Sequence, residues 1–298
     1  MSHHSVICDF EEDWRQVLQR LLHTARIPFH VEWSSHELCV RYHDVMTRRL
    51  IPVQRVVHRA RDLACPSHRQ AGLVKLLENV RRGSNLKPWQ STIPWTAVGT
   101  DHDDNDSLLR AWAICHFHLG EAITEDGFVT RTPELLFAHV TDTDFYALVI
   151  MKHGSWSSQR LFDILQSNWP EIAAPFEIRG VTPESGYTES DVAKLRRGNV
   201  NVLTNAPDGT VYAPLGWGKA TTGTTIAATI VCDRILVPLR ESERRLKEEP
   251  SILVKAAVQK GIELPQEIHL QLVVDDGWLS ARDDQAEIMF RLFELPRK

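Results

Sequence analysis

The feature that most constrains this chain is the stretch Trp112–Pro170, WAICHFHLGEAITEDGFVTRTPELLFAHVTDTDFYALVIMKHGSWSSQRLFDILQSNWP. Its apolar and polar residues alternate in three short runs, 114–119, 134–140 and 145–152. Alternation with period two predicts strands whose successive side chains face opposite ways. In the first run Cys115, Phe117 and Leu119 fall on one face, and His116 and His118 on the other. The polar joint Thr141–Asp144 separates the second and third runs and predicts a hairpin. Residues 157–167 then predict a helix that ends before Asn168-Trp169-Pro170, because proline restricts the residue in front of it.

Elsewhere the pattern predicts a mixture of helices and hairpins. Residues 9–25 carry apolar positions at helical spacing behind Asp9, a side chain suited to an N-cap. Residues 66–82 form a second helical pattern stopped by Gly83. Residues 29–43 read as a strand hairpin turning at Ser34–Ser35. After a helix near 188–197 the sequence turns β-rich through IAATIVCDRILVPL, followed by a charged helical region at 240–260 and a final hairpin. Strands in hairpins rather than in regular alternation with helices predict an α+β fold with antiparallel sheets and flanking helices. The expected division is an N-terminal domain over 1–170, a linker over 171–187 with its prolines and glycines, and a C-terminal β-rich domain over 188–298.

Composition narrows the classes of function. No apolar run approaches the roughly 18 residues that span a bilayer, and no secretory leader opens the chain. The five cysteines are scattered and form no C-x-x-C pair, which predicts reduced thiols in a cytoplasm. Net charge is −5, yet residues 41–87 hold eleven Lys and Arg against three Asp and Glu. Such a segment can act as a phosphate-binding face, with Arg48, Arg49, Arg55, Arg59, Arg81 and Arg82 as the nucleic-acid contacts, or it can be a set of solvated helix faces. An acidic run, Asp101, Asp103, Asp104 and Asp106, follows it.

Four histidines fall within 38 residues: His116, His118, His139 and His153. Imidazole is the side chain best suited to proton transfer or metal ligation near neutral pH. Two chemistries fit. An H-x-H strand pair can hold a metal if His139, His153 or Glu121 completes the set. Alternatively, histidines can act as acid and base beside Arg131, whose guanidinium matches a phosphate. Outward-facing strand histidines with no role are a third reading. Trp156 and Trp169 read as core anchors or as a stacking platform for a base. GWGKATTGTT at 216–225 lacks the spacing of a phosphate loop and reads as a glycine-rich connection between strands.

The order of elements in 112–170 is a strand with polar side chains, a loop with Arg131, the strand ELLFAHV, a tight joint and the strand FYALVIMKH. This order resembles the sheet core of RelE-type ribonuclease toxins of bacterial toxin–antitoxin systems. The combination HFHLG, ELLFA, HG-x-W and NWPE also resembles a recurring signature of bacterial and phage proteins that carries no activity with it. The toxin resemblance implies a curved sheet with basic and histidine residues on its concave face. His153 would stand at the edge of the site, with Arg131 and His118 facing RNA. It implies a toxin-like or phage-defence ribonuclease that cleaves RNA by metal-independent acid–base chemistry, with no cofactor. His118 and His153 would be base and acid, and His116 the alternate. An antitoxin or other protein partner is then expected beside RNA, and no membrane. The readings that compete with it are a metal-dependent hydrolase and a non-enzymatic cytoplasmic interaction module, of inhibitor or antitoxin type.

Overall fold

The computed structural model describes residues 4–95, 106–181, 186–220 and 223–296. Asp101, Asp103 and Asp104 of the acidic run lie outside the described residues. In chain order the strands and α-helices begin with β1 (Ser5–Ile7), α1 (Phe10–Thr24), α2 (Ser35–Arg48), β2 (Val56–Arg59), α3 (Gln70–Arg82) and α4 (Ser107–Trp112). Next come β3 (Ile114–His118), β4 (Glu134–Val140), β5 (Asp144–Lys152), α5 (Gln159–Asn168), α6 (Pro170–Ala173), β6 (Glu177–Ile178) and α7 (Glu189–Arg197). The last are β7 (Thr204–Asn205), β8 (Val211–Tyr212), α8 (Ile226–Glu248), α9 (Ser251–Val258), β9 (Glu267–His269), β10 (Gln271–Asp275), β11 (Trp278–Asp283) and β12 (Ile288–Glu294). The fold is α+β. Among the described residues no helix is long and apolar enough to cross a membrane.

The chain divides into two compact units. One joins the described residues up to His43 with those from Ala228 onward; the other runs from Asp44 to Ala227. The division therefore differs from the one expected at 171–187. The expected linker is built into the second unit, because β6 pairs with β8 and the Ala213 N–H donates to the Phe176 carbonyl.

In the first unit β1 and β9 pair in parallel, and β10, β11 and β12 form an antiparallel sheet. Asp9 caps α1 by accepting from the Glu12 N–H, and Phe10, Trp14, Leu18 and Leu22 make its buried stripe. Two expectations are corrected here. Residues 35–48 are helical rather than a strand hairpin. The sequence Ser34-Ser35-His36-Glu37 is a capping box: the Glu37 N–H donates to Ser34 Oγ and the Ser34 N–H to Glu37 Oε2. Residues 226–239 are helical rather than β-rich, and they run on into the expected charged helical region as one helix to Glu248. Ala228, Cys232, Ile235, Leu236 and Leu239 are buried at helical spacing, which overrides their share of β-branched neighbours.

The second unit is built on a four-stranded sheet in the order β2-β5-β4-β3. β3–β4 and β4–β5 are antiparallel, and β2 pairs in parallel with β5. Phe117 and Phe145 meet 5.2 Å apart within a core that also holds Leu73, Leu76, Leu77 and Val80 of α3 and Leu161, Phe162 and Leu165 of α5. A Cβ added at Gly72 of α3 would stand 1.9 Å from the carbonyl oxygen of Leu119, just beyond β3. Only a hydrogen fits there, so the helix rests backbone to backbone against the strand that carries His116 and His118. Gly72→Ala is expected to destabilise this unit by about 1–3 kcal/mol or more, as overpacking does. Urea unfolding checks this, and an unchanged midpoint would contradict it.

Candidate functional site

The site arises from strand register. In the antiparallel array His118 of β3 lies opposite Leu135 of β4, and Glu134 opposite Lys152 of β5. The C-terminal ends of β3 and β5 and the N-terminal end of β4 therefore share one end of the sheet. His118, Arg131 and His153 converge there although 35 residues separate the first from the last. The His153 N–H donates to the Pro133 carbonyl at 2.7 Å, which closes the hairpin beside Arg131.

His116, His118, Arg131, Thr132 and His153 line a shallow pocket with Ser91, Thr92 and Ile93. His116 and His153 also line an adjoining cavity of about 230 Å³ with Arg48, Pro94, Asp106, Ser107 and Trp156. Trp156 is the hinge of the arrangement. Its ring centroid lies 4.7 Å from that of His116, 4.9 Å from that of His153 and 5.6 Å from that of Phe137. The indole rests on the core through Phe137 and presents the two imidazoles to the cavity.

The three imidazoles have different chemistry. The Thr132 N–H donates to His118 Nδ1 at 3.2 Å, and Thr132 Oγ1 in turn accepts from the Leu119 N–H. With Nδ1 an acceptor, neutral His118 carries its proton on Nε2 and is a hydrogen-bond donor at its other nitrogen. Burial, with Arg131, His116 and His153 nearby, pushes the His118 pKa down to about 3. Burial also lowers the pKa of His116, against the pull of Asp106. Both are neutral at physiological pH. His153 is exposed. Arg131 Nη1 donates to the Gln90 carbonyl at 2.8 Å, and its guanidinium lies 4.9 Å from the centre of the Phe128 ring.

A pH effect on stability follows. The folded pKa of His118 lies below its ordinary unfolded value of about 6.5. Its contribution is therefore fully present above pH 6.5 and is lost as pH falls toward 3. The folded state should be about 2 kcal/mol less stable at pH 5 than at pH 7 from this group alone. Unfolding midpoints across that range test it. His118→Gln should flatten the slope; an unchanged slope would contradict the assignment.

The other expected residues stand apart. His139 lies opposite Ile114, and its Nδ1–H donates to the Ala113 carbonyl at 2.8 Å, away from this pocket. Glu121 uses its carbonyl to accept from Lys75. Trp169 packs on Tyr146 with 5.0 Å between centroids. Among the described residues no three His, Cys, Asp or Glu side chains are placed to hold a metal ion. The five cysteines are free, and burial pushes the Cys115 thiol up.

The basic segment is not one exposed face. Arg48 is buried and pairs with Asp44 at 2.8 Å, although its side chain borders the cavity. Arg55 is buried and donates to the carbonyls of Thr141, Ile51 and Val53. These two fill backbone acceptors and a carboxylate rather than waiting for phosphates. Arg49 donates to the Pro94 carbonyl and lies over Trp95, which holds the cavity wall at Ser91–Pro94 in place. Arg59, Arg81 and Arg82 are exposed.

Sequence reasoning missed Arg48 as part of the cavity wall, and Ser91, Ile93, Asp106 and Ser107 with it. These come from α2, the loop after α3 and the cap of α4, which no local periodicity connects to β3. Set against family models, curated proteins and solved structures, the chain finds no match.

Proposed function

We propose that this pocket cleaves RNA by metal-independent acid–base chemistry, as the resemblance to RelE-type toxins implies. The observation that carries the reading is the contact of both His116 and His153 with Trp156, with His118 and Arg131 lining the same pocket. Phosphodiester transfer within RNA needs four things: a base for the 2′-hydroxyl, an acid for the leaving oxygen, and two donors for the charge that grows on phosphorus.

The local chemistry distributes these roles. His116, kept neutral by burial, takes the 2′-hydroxyl proton as base. The 2′-oxygen forms its bond to phosphorus while the bond to the 5′-oxygen breaks. His153, which is exposed to solvent, protonates that 5′-oxygen. His118 Nε2–H and the Arg131 guanidinium steady the non-bridging oxygens. His118 thus serves as donor rather than as the base first expected, because the Thr132 N–H occupies its Nδ1 and leaves the proton on Nε2.

The test is cleavage of total RNA by the purified full chain with and without EDTA, beside a folded His116→Ala/His118→Ala variant. Cleavage that persists in EDTA and disappears in the variant supports the reading. Loss in EDTA points to a metal-dependent hydrolase, and absence of cleavage in every condition to an interaction module; either outcome contradicts it.

A further inference from the structure

Ser107 borders the catalytic cavity and also a second, smaller hollow within the same unit. That hollow holds about 20 Å³ where the first cavity holds about 230 Å³. Arg110 of α4, Arg196 of α7 and Lys219 line it, and each is more than nine-tenths buried. No acidic side chain among the described residues lines it.

Each cation is only partly satisfied. Arg110 Nη2 donates to Asp44, but its Nε has no partner. Asp44 is already shared with Arg48. Arg196 Nη1 donates to the Trp156 carbonyl at 3.1 Å, and its guanidinium lies 4.1 Å from the centre of the Trp112 ring. Its Nε is buried without a partner as well. Lys219 Nζ donates to the side-chain oxygen of Asn199 at 3.2 Å, a neutral acceptor. Burial holds Lys219 down to about 8 and Arg196 to about 10.

Buried cations are costly, and a native structure that gathers three around one hollow, of which only Arg110 is ion-paired with a carboxylate among the described residues, calls for an explanation. Close approach of backbones fixes the hollow's wall. A Cβ at Gly216 would stand 1.9 Å from the Leu109 carbonyl oxygen, and the Gly218 N–H donates to the Arg110 carbonyl. The loop that carries Lys219 is thereby pinned to α4.

We infer that this hollow is an oxyanion site, which takes a phosphate-type dianion between Arg110, Arg196 and Lys219. Two buried guanidinium Nε–H groups and an ammonium supply donors from three separate elements, which suits several oxygens on one centre better than a single carboxylate. The charges agree as well. Among the described residues neither Arg196 nor Lys219 is ion-paired with a carboxylate, and Asp44 and Asp106 act on Lys219 without such a pair, so an oxyanion in the hollow supplies a close counter-charge to both. Free phosphate and the terminal phosphate of a nucleotide share this chemistry. The site does not depend on the ribonuclease reading, although Arg196 touches the backbone of Trp156, whose ring sits on His116 and His153.

The test titrates inorganic phosphate into the full chain at constant ionic strength, with chloride as the replaced anion, and follows unfolding temperature and heat of binding. A saturable rise of about 5 °C at a hundredfold excess over Kd is expected. Lys219→Met should abolish the response while leaving the unfolding temperature without phosphate equal or higher, because a buried cation has gone. His116→Ala/His153→Ala should keep the response. If Lys219→Met does not fold, Lys219→Gln and Arg196→Gln carry the same test. A wild-type chain that does not respond, a response retained in the Lys219 variants, or a response lost in the histidine variant would each overturn the inference. A nucleoside 5′-monophosphate that binds more tightly than phosphate identifies a nucleotide end as the source; equal affinity identifies free phosphate.

Discussion

Alanine at His153 is expected to lower the rate of RNA cleavage by about 10²–10⁴-fold, the range that a positioned acid or base contributes. The side chain is exposed and stands against Trp156, so its removal leaves the core intact. The folded state should therefore keep its unfolding temperature while activity falls. His116→Ala should lose a similar factor, and the double variant should lose little more than either single one, because acid and base act on one transfer. Rates from a fixed oligonucleotide, measured beside circular dichroism of each variant, check this. Full activity in His153→Ala would remove the acid from the scheme.

The largest effect on stability is expected at Asp44. Its two carboxylate oxygens accept from two different guanidiniums, Oδ2 from Arg48 and Oδ1 from Arg110. All three side chains are buried. Asp44→Ala leaves two cations without this counter-charge, and loss of one partner of a buried pair typically costs about 3–5 kcal/mol. The cost belongs to the stranded charges rather than to the attraction itself. Replacing the whole trio with Asp44→Leu, Arg48→Met and Arg110→Met should therefore recover most of it. Chemical unfolding of the single and triple variants reads both numbers. A single variant within 1 kcal/mol of the wild type would contradict the account.

The sheet end that carries the site was legible because its signals are local. Period-two alternation sets His116 and His118 on one face, and a four-residue joint fixes the hairpin that brings His153 back beside Arg131. Helix α1 was legible through Asp9 and its apolar spacing, and α3 through Gly83, which adopts a left-handed conformation with φ 69° at the helix end. Two helices were misread for physical reasons. In 29–43 the alternation of apolar and polar residues masked the capping box at Ser34 and Glu37. In 226–239 the β-branched residues outweighed a buried stripe at helical spacing. Charge composition misled most. Counting arginines along 41–87 cannot distinguish Arg55, sunk among backbone carbonyls, from Arg59 on the surface. The Asp44, Arg110, Arg196 and Lys219 cluster was not legible at all, since its members lie up to 175 residues apart and meet only through the tertiary fold.

In the proposed reaction the phosphoryl group passes from the 5′-oxygen to the neighbouring 2′-oxygen. Analysis of the ends of the cleaved RNA tests it most directly. The expected products carry 2′,3′-cyclic phosphate and 5′-hydroxyl ends, formed in EDTA, with no cleavage at a site whose 2′-hydroxyl is replaced by hydrogen. Cleavage at that deoxy site, or products with 5′-phosphate ends, would mean that water rather than the 2′-oxygen attacks, and would contradict the mechanism.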